Sequence, residues 1–105
     1  MLFTYPAIFY KEKEGGYSVV FPDLNHLATC GDSLEEAVYM AKDCLQGYLW
    51  SCLKDGDKFS DATDLEFVDP YCEDDEDKDD YVIDRFVRNI TVDTDNVVVI
   101  NDIES

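Results

Sequence analysis

The chain has 105 residues, enough for one domain with a single modest core, and 46% of them are apolar, so it is expected to fold. Lys and Arg number 8 against 25 Asp and Glu, a formal charge of −17. A surface of that sign repels nucleic acid, whose binding needs clustered cations, and makes a basic protein the natural complement, although acidity also serves simply to keep a domain soluble.

Residues 3–10 are rich in aromatic and branched side chains and read as a first strand, bounded by charge at residues 11–14. Gly15-Gly16 marks a turn, and residues 17–21 pair back as a hairpin, with Tyr17, Val19 and Phe21 on the face that packs inward. Pro22 stops the pairing, residues 23–26 turn the chain, and residues 27–30 are long enough for a short third strand.

The stretch 30–54 is the chain's one convincing long helix. Ser33 suits the N-cap and Glu36 can reach back to its amide, a capping box that satisfies two orphan donors at once. Leu34, Ala37, Val38, Ala41, Leu45, Tyr48, Leu49 and Cys52 recur at helical spacing and form one broad apolar stripe. Gly56 is placed to close the helix in the left-handed conformation, with Lys54 suitably charged for the last turn. Tyr39, Met40 and Trp50 lie off the stripe, as does Asp43, and Trp50 is the best anchor for something outside the fold.

Residues 59–71 show no period and read as a loop. Residues 73–80, EDDEDKDD, carry seven acids and one lysine, a run expected to stay solvated and mobile and to suit a basic partner. An EF-hand loop lacks its glycine and its spaced glutamate there. Residues 81–92, YVIDRFVRNITV, read as a strand broken or bent near Asp84-Arg85. After a crossover helix such a strand can return parallel, beside the first. Residues 97–103 form a further apolar segment, either another strand or a contact to a second copy. The expected fold class is α+β: a three-stranded antiparallel sheet followed by one long helix and a returning strand, β-β-β-α-β, a partial RNase H-like arrangement.

That arrangement raises a metal-dependent nuclease, which needs carboxylates from the first strand, the helix and the later strand. Residues 3–10 contain no acid, and Glu35, Glu36, Asp93 and Asp95 have capping or surface explanations. His26 is the only imidazole and has only Cys30 nearby in sequence, so neither a catalytic residue nor a cofactor is expected. Cys30, Cys44, Cys52 and Cys72 show no C-x-x-C pair, which argues against structural zinc and for reduced thiols. No apolar run approaches a membrane span and no basic leader precedes residue 14, so a cytoplasmic protein with no membrane contact is expected.

The order YPAIFYKEKEGGYSVVFPDL, a turn, then TCGDSLEEAVYMAKDCLQGYL resembles the N-terminal domain of the HicB antitoxins of bacterial type II toxin-antitoxin systems. FPDL at residues 21–24 and GDSLEEA at residues 31–37 are the most specific pieces, and FVRNITVDTDN resembles the family's final strand. The resemblance implies a non-enzymatic binding module that neutralises a HicA-like toxin, a compact basic ribonuclease of messenger RNA, by direct contact, as a homodimer or higher homo-oligomer. Two departures accompany it. Asn25-His26 stands where many members carry Pro-Gly, and too few residues follow the last strand for the DNA-binding module that members commonly append. A single HicB-like domain over residues 1–105, without direct nucleic-acid binding, is therefore expected. The runner-up is an orphan acidic domain that mimics nucleic acid toward another basic protein. The residues expected to meet the partner are Asp23 in the turn, Tyr39, Asp43 and Trp50 on the helix, and Asp74, Asp75 and Glu76 in the acidic run.

Overall fold

The structure, a computed structural model, describes residues 2–71 and 81–94. Cys72, the acidic run with Asp74, Asp75 and Glu76, Asp95 and the apolar segment 97–103 lie outside the described residues. Three strands, β1 (Leu2–Glu12), β2 (Tyr17–Phe21) and β3 (Leu27–Gly31), precede one helix, α1 (Leu34–Asp55), and a last strand, β4 (Val82–Asp93). A 3-10 turn, Leu65–Phe67, lies within residues 59–71, the stretch read from sequence as loop.

The sheet has four strands in the order β3-β2-β1-β4. β1 is central and buried on both faces from Tyr5 to Tyr10, which is why YPAIFY is an unbroken apolar run instead of an alternating one. On one face Tyr5, Ala7, Phe9, Val19, Phe21, Ile90 and Val92 meet Ala37, Ala41, Leu45 and Leu49 of α1, the stripe expected from its spacing. On the other, Ile8, Tyr10 and Val82 form a smaller cluster against which Val20, Val68 and Val87 pack.

β4 lies beside β1 as expected, but it runs antiparallel, from Glu12↔Val82 to Leu2↔Asp93, and not parallel. The connection explains the reversal. β3 ends at the hairpin end of the sheet, where Gly31 pairs with Tyr17, and the 22 residues of α1 carry the chain to the opposite end. There Tyr5 Oη donates to Ser60 O at 2.6 Å, and Val68 then joins the second face. Lys13 N donates to Tyr81 O at 2.8 Å, so the chain is back at the hairpin end before β4 begins. The bend expected near Asp84-Arg85 is a register shift opposite Lys11/Glu12, where Lys11 pairs with Asp84 and Glu12 with Val82.

Local signals at the helix hold with one adjustment. Ser33 Oγ accepts from Glu36 N at 3.1 Å, but the Glu36 carboxylate reaches one residue further back, accepting from Asp32 N at 3.1 Å. Gly56, at φ +75°, closes the helix by donating to Cys52 O. The Asn25-His26 pair takes φ of +56° and +60°, and Leu27 N donates to Leu24 O at 3.1 Å. This is a tight turn of the primed kind, whose twist suits a hairpin and in which asparagine is favoured.

Candidate partner-binding surface

Tyr39, Asp43 and Trp50 are separated by four and seven positions, which puts them on one face of α1, turned away from the sheet. Tyr39 is 68% exposed and Asp43 is exposed, whereas Trp50 is half-buried with Lys54 Nζ 5.0 Å from its ring centroid. Leu53, also exposed, extends the strip by a further turn. On the flank toward β3, burial pushes the Cys44 thiol pKa up and the neighbouring Asp43 carboxylate adds to it. On the flank toward β4, Gln46 Nε2 donates to the carbonyl of Asp93.

Asp23 sits elsewhere, at the end of the sheet beneath the helix C-terminus. Its two carboxylate oxygens accept from Thr63 N and Thr63 Oγ1, each at 2.7 Å, and so hold the loop after the helix against the β2–β3 turn. Burial, followed by the Asp61 and Asp23 carboxylates, raises the pKa of the Tyr5 phenol that ties the same loop at Ser60. Hydrogen bonds to a charged, half-buried acceptor are worth about 1.5–3 kcal/mol. Asp23→Ala is therefore expected to lower stability by about 2 kcal/mol, read as a shift in the urea midpoint, with faster hydrogen exchange at the Thr63 amide than elsewhere in the chain.

Sequence reasoning passed over Leu65, Phe67 and Tyr71. All three are exposed apolar side chains of the loop, Phe67 at 72%, and Arg85 Cζ lies 4.8 Å from the Tyr71 ring centroid. Their only sequence signal was apolar content without period in an acidic segment. Among the described residues no three His, Cys, Asp or Glu side chains group as a metal site, and no helix is long and apolar enough to cross a membrane. Glu36 is engaged in the helix cap, and Glu35 is exposed in the same first turn.

The fold and its surface are those of a small acidic α+β domain with one helix layered on an antiparallel sheet. The chain belongs to the HicB-like antitoxins of bacterial toxin-antitoxin systems, whose family model matches residues 5–99. It is 49% identical over 41 residues to Antitoxin HicB 1 of Photorhabdus laumondii subsp. laumondii, a match spanning 39% of this chain and 26% of that protein. It is similar to a chain of a toxin-antitoxin complex from Streptococcus pneumoniae, with a TM-score of 0.76 at 25% identity over 92% of this chain and 73% of that one. A chain of the HicA3 and HicB3 toxin-antitoxin complex shares the fold, with a TM-score of 0.60 at 17% identity over 87% of this chain and 99% of that one.

Proposed function

We propose that this chain neutralises a basic HicA-type ribonuclease by direct protein contact and is not itself an enzyme. Membership of the antitoxin family over residues 5–99 carries the reading. The charge of −17 supports it, because complementary potential speeds encounter with a cationic toxin and shields the surface that the toxin turns toward RNA. Tyr39, Asp43 and Trp50 are proposed contacts: they share a face that the core does not use, and rigid aromatics are frequent anchors. Asp23 and the acidic residues Asp74, Asp75 and Glu76 are proposed to add to the attraction. A homodimer or higher homo-oligomer is part of the same proposal, supported by β4, a twelve-residue strand that forms one edge of the described sheet.

Co-expression tests the reading. A HicA-type ribonuclease co-expressed with this chain is expected to lose its toxicity and to co-purify with it; persistent toxicity without co-purification would remove the proposal. Trp50→Ala is expected to weaken that binding by roughly tenfold or more while the far-ultraviolet spectrum stays native. Unfolding of this variant would instead assign Trp50 to the core.

A further inference from the structure

The stretch after α1, as far as Tyr71, combines exposure with firm anchoring. Thr63 is tied to Asp23 by two hydrogen bonds, Ser60 to Tyr5 by one, and Phe59 packs edge-on against Phe3 with ring centroids 5.6 Å apart. Val68 is anchored in the cluster on the second face of the sheet, and Phe67 N donates to Asp64 O at 2.9 Å within the 3-10 turn. Between these anchors the chain holds Phe67 out in solvent at 72% exposure. An aromatic presented on a pinned loop loses little conformational entropy when something covers it.

Beside Phe67 lies a depression of about 200 Å³ lined by Pro22, Asp23, Thr63, Phe67, Val68 and Asp69. It is smaller than the roughly 300–1,000 Å³ of pockets that enclose drug-sized molecules, and suits one side chain. Its two charged groups, Asp23 and Asp69, are both anionic. Thr63 supplies one donor to each oxygen of Asp23, and a carboxylate offers about four lone-pair positions, so acceptor capacity remains. Asp69 Oδ1 takes the Tyr71 amide at 2.8 Å, which fixes the second carboxylate at the rim. Among residues 56–71 the only cation is Lys58, against Asp57, Asp61, Asp64, Glu66 and Asp69.

We propose that this depression is a socket for an arginine side chain of a basic protein partner, with the guanidinium between the Asp23 and Asp69 carboxylates and against the Phe67 ring. It rests on the reading above in requiring that the partner be basic. A planar guanidinium satisfies both demands of the site at once, bonding in its plane to carboxylate and stacking on an aromatic face, which a lysine ammonium does not. The chain shows the same arginine-on-aromatic pairing a few residues away, between Arg85 and Tyr71. The socket is a second contact, on loop and sheet end, beside the helix strip of Tyr39 and Trp50.

The full chain labelled with nitrogen-15 tests this with N-acetyl-arginine amide as the probe. Saturable shifts are expected at the amides of Thr63, Phe67, Val68 and Asp69. N-acetyl-citrulline amide, equal in shape but uncharged, is expected to give none, and Phe67→Ala to weaken the arginine response several-fold. Absence of shifts in this loop, equal shifts across the whole acidic surface, or an unchanged titration with Phe67→Ala would overturn the socket. Because Phe67 is exposed, its removal is not expected to unfold the chain; an unchanged urea midpoint checks this. With the co-expressed toxin, Phe67→Ala and Asp69→Asn are each expected to reduce affinity roughly tenfold. Equal toxin binding by wild type and both variants would sink the socket and leave the antitoxin reading standing. An arginine response without any toxin binding would do the reverse.

Discussion

Replacing Gly31 by alanine is expected to destabilise the fold by about 3 kcal/mol or more, a large part of the roughly 5–15 kcal/mol that holds a small domain together. Gly31 is the last residue of β3, and a Cβ added there would lie 2.5 Å from Ala37 N, 2.7 Å from Ala37 Cα and 2.8 Å from Glu36 C. All three atoms are backbone of the first turns of α1, so no rotamer change relieves the overlap. Relief requires the helix start to lift from the sheet, which breaks the Ser33–Glu36 cap and withdraws Ala37 and Ala41 from the core. Gly47 provides the control: nothing lies within 4 Å of its added Cβ, and alanine there is expected to stabilise by about 0.5–1 kcal/mol through helix propensity alone. Urea denaturation of the two variants measures the contrast. A Gly31→Ala midpoint equal to the wild type would disprove the close approach of β3 and α1.

Phe9→Ala is expected to cost about 3–5 kcal/mol, the usual range for removing a buried phenylalanine. Phe9 is fully buried and stacks on Phe86 of β4 with centroids 5.1 Å apart and planes 7° from parallel. Tyr17 also meets Phe86 edge-on, with ring centroids 6.4 Å apart. The loss therefore falls on the seam between β1 and β4 as well as on the core under the helix. Hydrogen exchange at the β4 amides that face β1 is expected to accelerate more than exchange in the β1–β2 hairpin, and Phe9→Leu to recover most of the stability. Uniform acceleration across the sheet would show that β4 has no separate dependence on this stack.

The elements most legible in the sequence were those fixed by neighbours. Ser33 and Glu36 announce the helix start, Gly56 its end, and the spacing of Ala37, Ala41, Leu45 and Leu49 its buried side. Strand direction was not legible for β4, because it depends on where a connection without periodicity travels, and Val68 anchors that path on the far face through contacts distant in sequence. The candidate surface divides in the same way. Tyr39, Asp43 and Trp50 share a face by helical geometry alone, whereas Phe67 is held out by anchors distant in sequence, among them Asp23, which holds Thr63 forty positions away. GDSLEEA was legible as a family signature and a cap, but the reason for its glycine lies in the contact between β3 and the turn that it precedes.

The pairing of Leu2 with Asp93 and of Glu12 with Val82 also governs how the chain must be made. β1 leaves the ribosome before the other described strands, and β4, which completes one of its two edges, is the last of them to follow. Until then the central strand of the described sheet, buried on both faces from Tyr5 to Tyr10, carries an open ladder of donors and acceptors, the condition under which nascent chains associate wrongly. Contacts of such long sequence separation also form later than those of the β1–β2 hairpin, because more chain must be closed to make them. A chain halted before Val82 would keep the helix and hairpin signals intact and still display β1 as a bare edge.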